Sequence, residues 1–307
     1  MAIDSGQNSE SLGQRPKRGI KAFKKATLIA ILLGGTLGFS AGAAYATNTQ
    51  SLIGQFSTGG RTYQTLAALD TTWDGGRGSA ASFIYAQGGD VPVGWMYARG
   101  RAFIGGNFCD EGWEAYNGIV AHQLDNGVWL SCGYGAYQSY GVVGAWNGNS
   151  YNYYYTYRTP AAYGGALGMK SFTKHRRVFG VAATTVAIAI GGVVGFAITT
   201  ANAGAPTVLI EKGDKVDFPK NARGDTFGSA MDARTPADEP DLISAIGDDG
   251  KIGYLKKADL DQGTPNSPEE AIQMQNARKD GSGRVLKLYA EDGTTVIGQR
   301  TVGKAAP

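Results

Sequence analysis

Hydrophobic and polar positions alternate with a period of two over several stretches of the chain, and short turn sequences rich in glycine, asparagine and aspartate separate them. Residues 119–124 and 128–132 flank Asp125-Asn126-Gly127, and residues 140–146 and 151–157 flank Asn147-Gly148. Such pairs supply the positive φ of tight turns, so the pattern predicts two β-hairpins. In the second, Tyr151, Tyr153, Tyr155 and Tyr157 share one face, while Asn152, Tyr154, Thr156 and Arg158 share the other. Two more hairpins are predicted further along, 241–246 with 251–255 around Asp248-Asp249-Gly250, and 285–289 with 295–301 around Glu291-Asp292-Gly293. Between them Ser267-Pro268-Glu269-Glu270 is a helix start, with serine as cap, proline at the first position and glutamate at the third. That helix is expected to run to about 279, before Asp280-Gly281. The predicted fold class is mainly β: a Gly-, Tyr- and Trp-rich antiparallel β domain over 47–165, and a small α+β domain over 204–307.

Each of these domains follows a hydrophobic segment. Residues 1–25 form a basic region expected to stay cytoplasmic, with Arg15, Lys17, Arg18, Lys21, Lys24 and Lys25. An apolar run over 26–46 follows and ends in Ala44-Tyr45-Ala46, the plan of a secretory signal peptide cleaved between Ala46 and Thr47. Its apolar part is near the ~20 residues that span a bilayer, so an uncleaved form would be a signal anchor. The plan restarts at Met169: Lys170, Lys174, Arg176 and Arg177, an uncharged stretch over 178–198, then Ala201-Asn202-Ala203. A second cleavage is expected between Ala203 and Gly204, or a second transmembrane segment over 169–203. If both segments spanned, the second basic cluster would be stranded outside, against the positive-inside rule. Two readings resolve that conflict: two exported precursors joined end to end, which the recurring order of basic region, apolar run and cleavage site favours, or a first segment that alone exports the chain while the second lies along the membrane surface. Gly38-Phe39-Ser40-Ala41-Gly42 matches a nucleophile-elbow pattern, but it lies in a leader and lacks the strand-to-helix context the chemistry needs.

Composition narrows the chemistry. The chain has 307 residues, of which 47 are glycine, two are cysteine and two are histidine. Those counts exclude a four-thiolate or His-rich metal centre, and neither a metal nor a cofactor is assigned. The net charge of +3 divides unevenly. Residues 1–46 carry six basic against two acidic side chains and 169–203 carry four against none, whereas 47–168 carry five against seven and 204–307 carry fourteen against seventeen. Both candidate domains are slightly acidic, so nucleic acid is not an expected partner.

Cys109 and Cys132 both fall in the first exported region and border strand-like runs. A disulfide between them is expected in an oxidising compartment, closing a loop of about 24 residues worth roughly 3 kcal/mol. All five tryptophans, Trp73, Trp95, Trp113, Trp129 and Trp146, lie in the same region. They serve either as the core of a sheet poor in leucine and isoleucine or, with the ladder of Tyr151, Tyr153, Tyr155 and Tyr157, as an aromatic binding surface for glycans, lipids or a protein. Asp110, Glu111 and Glu114 cluster beside Cys109, and His122 is the sole exported histidine. Paired carboxylates perform acid and base roles in glycoside cleavage only where one is held in an apolar pocket, which nothing in the spacing shows. No residue is assigned as catalytic. Asp259, Asp261 and Glu270 fit three positions of a calcium loop, but Gly263 and Thr264 break the pattern, and capping accounts for Glu270.

The segments 94–109, 132–148 and 157–160 resemble small exported actinobacterial proteins of unknown activity, and in being exported and Gly-, Tyr- and Trp-rich the region is similar to lactococcin-type bacteriocins. Phe227-Gly228-Ser229-Ala230, residues 238–243, Gly253-Tyr254-Leu255 and residues 267–271 resemble a widespread actinobacterial extracytoplasmic module. Gly253-Tyr254-Leu255 followed by Leu260 is also similar to a strand of bacterial Src-homology-type barrels that bind cell wall. The expected function is that of an exported protein, membrane-anchored or secreted, acting in the cell envelope as a non-catalytic binding module. Its expected partners are the membrane and a cell-wall polymer or envelope protein. The alternatives are a secreted bacteriocin-like antibacterial protein and a carboxylate-dependent wall or glycan hydrolase.

Overall fold

Strand-forming sequence dominates the computed structural model, which describes residues 48–71, 78–164, 207–209, 216–278 and 283–304. The hydrophobic segments over 26–46 and 169–203, the basic region 1–25, Trp73, and the cleavage positions Ala46, Thr47, Ala203 and Gly204 lie outside the described residues. Among the described residues no helix is long and apolar enough to cross a membrane.

In chain order the first region holds β1 (Asn48–Gln50), β2 (Ile53–Thr58), β3 (Arg61–Asp70), β4 (Ser79–Ala86), β5 (Met96–Arg99), β6 (Arg101–Ile104), β7 (Asn107–Glu111), β8 (Ala115–Tyr116), β9 (Gln123–Trp129), β10 (Gly135–Ser139), β11 (Val142–Trp146), β12 (Tyr151–Tyr155) and β13 (Ala162–Gly164). The second holds β14 (Thr207–Leu209), β15 (Phe227–Gly228), β16 (Leu242–Ile246), β17 (Ile252–Lys256), the short helix α1 (Lys257–Leu260), α2 (Pro268–Asn276), β18 (Arg284–Tyr289) and β19 (Val296–Val302).

Three sheets result. One runs β14-β2-β3-β4-β9, with β1 beside β3; a second runs β12-β11-β5-β8; the third runs β13-β10-β6-β7-β16-β17-β18-β19, with β15 beside β16. The first sheet is the platform. Phe56, Tyr63 and Ile84 from it pack with Met96, Ala98, Val143 and Ala145 of the second sheet. Leu69, Ala80 and Val128 pack with Ala102, Cys109 and Tyr137 of the third. Burial on both faces explains why β4, Ser-Ala-Ala-Ser-Phe-Ile-Tyr-Ala, is apolar or small throughout instead of alternating.

The chain passes between the second and third sheets at Gly100, the single residue between β5 and β6. A Cβ there would stand 2.5 Å from the Asn126 carbonyl oxygen and 2.9 Å from the Gly127 Cα, so two backbones cross where only glycine fits. That crossing corrects one of the predicted hairpins. Asp125, Asn126 and Gly127 are not a turn but the middle of β9, paired with Phe83, Ser82 and Ala81 of β4. The glycine serves close approach, and the Asn126 Oδ1 accepts from the Gly100 N–H at 3.0 Å. The Asn147-Gly148 hairpin forms as expected, with Val142 opposite Tyr155 and Trp146 opposite Tyr151, and Gly148 at φ +102°.

In the second region both expected hairpins form, β16 with β17 and β18 with β19. The Ser267 Oγ accepts from the Glu270 N–H at 3.2 Å, as the cap predicts. Glu270 reaches back to the Asn266 N–H at 2.7 Å, one residue earlier than in a standard capping box. The stretches read from sequence as separate domains, 47–165 and 204–307, are joined: their described residues, between 48 and 304, fall in one compact unit. The third sheet runs across both through β7 and β16, and β14 pairs in parallel with β2.

Candidate functional site: a buried ionic seam

Where the two regions meet, the sequence Met96-Tyr97-Ala98-Arg99-Gly100-Arg101-Ala102-Phe103-Ile104 places two arginines inside an apolar run. A charge buried with apolar neighbours is costly unless it is paired and hydrogen-bonded. Arg101 is fully buried and Arg99 is 4% exposed. The β6–β7 register sets Arg101 opposite Glu111, with Arg101 Nε at 3.1 Å from Glu111 Oε2. Arg99 Nη1 lies 3.6 Å from the same oxygen and 3.9 Å from Glu114 Oε1.

The remaining ion-pair partners come from the second region. Arg101 Nη1 donates to Glu239 Oε1, which also accepts from the Tyr155 hydroxyl. Arg284 Nη2 donates to Glu111 Oε1 at 3.0 Å, and Arg278 Nη2 donates to Glu114 Oε2 at 2.9 Å. The Arg278 and Arg284 guanidinium carbons stand 5.7 and 5.5 Å from the Trp113 ring centre, within cation–π range. Arg300 Nη2 lies 3.5 Å from Asp110 Oδ2. Asp110 also accepts from Ser131 Oγ and from the backbone N–H of Glu111 and Gly303. Burial pushes the Asp110 carboxyl up to about 6, against the pull of Arg300 and those hydrogen bonds, and burial likewise raises Glu114 against Arg99 and Arg278. Burial presses the Arg101 guanidinium down, but Glu239 and Glu111 together carry it well above its ordinary value, so it stays charged. The Tyr155 hydroxyl is raised well above its ordinary value by burial and by Glu239, so it stays protonated and donates.

Cys109 and Cys132 form the expected disulfide, with Cα atoms 5.8 Å apart. Beside it Ser131 joins the seam, donating to Asp110 and accepting from Arg300. The bridge therefore fixes a loop that takes part in the contact between the two regions.

Asp110, Glu111 and Glu114, the carboxylates a hydrolase would use, lie together as the sequence suggests, but at 3%, 1% and 7% exposure and each with an arginine partner. His122 is not with them; it is exposed, with Nδ1 3.0 Å from Asp90 Oδ1. Among the described residues no three His, Cys, Asp or Glu side chains gather as a metal site, and Glu270 is engaged with Asn266.

The tyrosine ladder is not a free surface. Tyr151 and Tyr155 are buried, and Tyr153 and Tyr157 are half-buried. Tyr151 and Tyr155 share one apolar cluster with Tyr97, Tyr116, Tyr140 and Trp146 of their own region and with Phe218, Met231, Leu255, Leu260 and Ala271 of the other. The reason is the second region itself, which lies over the face that sequence alternation left unpartnered. Trp146 is in that cluster, and Trp95 packs against it. Sequence reasoning did not single out Arg99, Arg101, Glu239, Arg278, Arg284 or Arg300. The signal available was the pair of arginines inside an apolar strand run.

Along the outer edge of the seam lie two depressions of about 510 and 560 Å³. Arg158 and Asp232 line both, with Phe227, Ser229 and Tyr254 in one and Tyr157 and Arg234 in the other. Comparison with protein-family models, with curated proteins and with solved structures finds no match to the chain.

Proposed function

We propose that the chain is an exported cell-envelope protein that acts by binding and not by catalysis. The observation that carries this reading is that Asp110, Glu111 and Glu114 are buried and each is committed to an arginine, which leaves them without access to a substrate. The Cys109–Cys132 disulfide fits an oxidising compartment, as export by the segments over 26–46 and 169–203 would provide. A ligand site is supported by the seam depressions, where aromatic side chains stand beside Arg234 and beside Arg158, which lies 3.8 Å from Asp232; together they suit an acidic wall polymer.

The test is retention of the protein on isolated cell wall and on membranes, beside a double variant carrying Arg158→Gln and Arg234→Gln. The reading expects retention on wall that the double variant reduces several-fold; no retention on either material overturns it. Wall degradation by the protein, lost in Glu114→Gln while the fold is kept, would return the hydrolase reading. Mapping protein N-termini in membrane and supernatant fractions tests export, with new termini expected at Thr47 and Gly204.

A further inference from the structure

The surface that reads from sequence as a docking face is already occupied, and its occupant is part of the same chain. We infer that residues 216–304 are a separable cognate partner of residues 48–164, a resident cap that docks on the tyrosine ladder and its flanking charges and holds there without a covalent link. The proposal does not depend on what the seam depressions bind.

Three features of the seam support a partner interface over a domain interior. First, it is charge-complementary, with ion pairs that each take one side chain from either region: Arg101 with Glu239, Glu111 with Arg284, Glu114 with Arg278 and Asp110 with Arg300. Paired charges of this kind set specificity and register between surfaces, whereas a domain core is chiefly apolar. Second, backbone continuity is slight where the third sheet crosses the seam. The parallel join of β7 to β16 is a single register pair, Phe108 with Ala245, so side chains carry the contact there. Third, the capping contacts aim at the ladder side of the first region. The Tyr155 hydroxyl donates to Glu239, the Tyr140 hydroxyl donates to the Ala233 carbonyl at 3.2 Å, and the Tyr116 N–H donates to Gln275 Oε1 at 2.6 Å. Gly94 lies so close to Pro268 that a Cβ there would stand 2.7 Å from its carbonyl oxygen. The signal-like segment restarting at Met169 fits the same picture, since it is the place at which two exported partners would be joined.

The experiment uses the full chain with a protease recognition sequence inserted between residues 168 and 169. It is folded, oxidised and then cut, and the products are run on a sizing column at micromolar concentration. The expected result is co-elution as one species, with amide hydrogens of 151–155 as slow to exchange as in the uncut chain. A second form of the chain, carrying Arg278→Met and Arg284→Met, is expected to stay folded while uncut. After cutting, its fragments are expected to separate at least ten times more readily on dilution, with 151–155 then exchanging fast. Separation of the unaltered fragments at micromolar concentration overturns the proposal. So does loss of the fold of both fragments on cutting, which would mean one inseparable domain. Equal dilution stability of the two cut forms also overturns it, because the charges would then not hold the seam.

Discussion

The two regions handle charge in opposite ways, and neither is balanced without the other. The first buries three acids, Asp110, Glu111 and Glu114, but only two arginines, Arg99 and Arg101, while the second brings Arg278, Arg284 and Arg300 against a single buried acid, Glu239. Taken alone, the first would leave Asp110 without Arg300 and Glu114 with only the 3.9 Å contact to Arg99. Taken alone, the second would leave Glu239 with no arginine, since its ion-pair partner is Arg101. A buried ion pair adds little net stability, because desolvation offsets most of the attraction, yet losing one partner strands the other at several kcal/mol. The seam therefore teaches specificity more than strength: it penalises any arrangement in which the two regions are out of place.

The most direct way to break this complementarity is at its most buried pair. Glu239→Ala, which removes one of the two carboxylate partners of Arg101 and the acceptor of the Tyr155 hydroxyl, is expected to lower unfolding free energy by about 3–4 kcal/mol in denaturant titration. A loss under 1 kcal/mol would show that Glu111 alone is enough to compensate Arg101. Cys109→Ser with Cys132→Ser is expected to cost roughly 3 kcal/mol and to loosen the Ser131 contact to Arg300, read as faster exchange around 131–133. Gly100→Ala tests the backbone crossing, with an expected cost of about 1–3 kcal/mol from overpacking against β9; a neutral result would mean the sheets can move apart. Ser267→Ala should cost about 1 kcal/mol through the α2 cap, leaving the first region's exchange pattern unchanged.

The same seam also predicts a pH dependence. Asp110 binds a proton more readily folded than unfolded, because its carboxyl is raised from 3.8 to about 6. Its contribution to stability is thus fully present below about pH 4 and is lost as pH rises toward 6. Asp110→Asn is expected to flatten that part of the stability profile, and an unchanged slope between pH 4 and 6 would show that Arg300 holds the carboxylate ionised throughout.

The contrast between two turn-like sequences shows how far local pattern reaches. Asn147-Gly148 is a hairpin turn because the strands on either side pair with each other, Val142 with Tyr155 through Trp146 with Tyr151. Asp125-Asn126-Gly127 has the same chemistry but lies within a strand, because β4 offers seven residues of edge for β9 to pair with along its whole length. Turn propensity lost to long-range hydrogen bonding, and the glycine was needed for a backbone crossing instead. The Ser267 cap, the other three hairpins and the disulfide were legible because each rests on residues close in sequence or on a pairing with no competitor. The candidate site was half legible: the clustered acids and the ladder stand out, but their partners lie more than 100 positions away for most contacts.

The sequence by itself determined the mainly β class, the hairpins at 147–148, 248–250 and 291–293, the helix behind Ser267 and the pairing of the only two cysteines, since each follows from local backbone preference or from elimination. Tertiary structure alone decided that the two regions share a sheet and a core, that the tyrosine ladder faces a cap and not solvent, and that Asp110, Glu111 and Glu114 are seam ligands for arginines. The physical reason is that burial and charge pairing are properties of surfaces brought together, and an alternating strand shows that it has an apolar face without showing what will cover it.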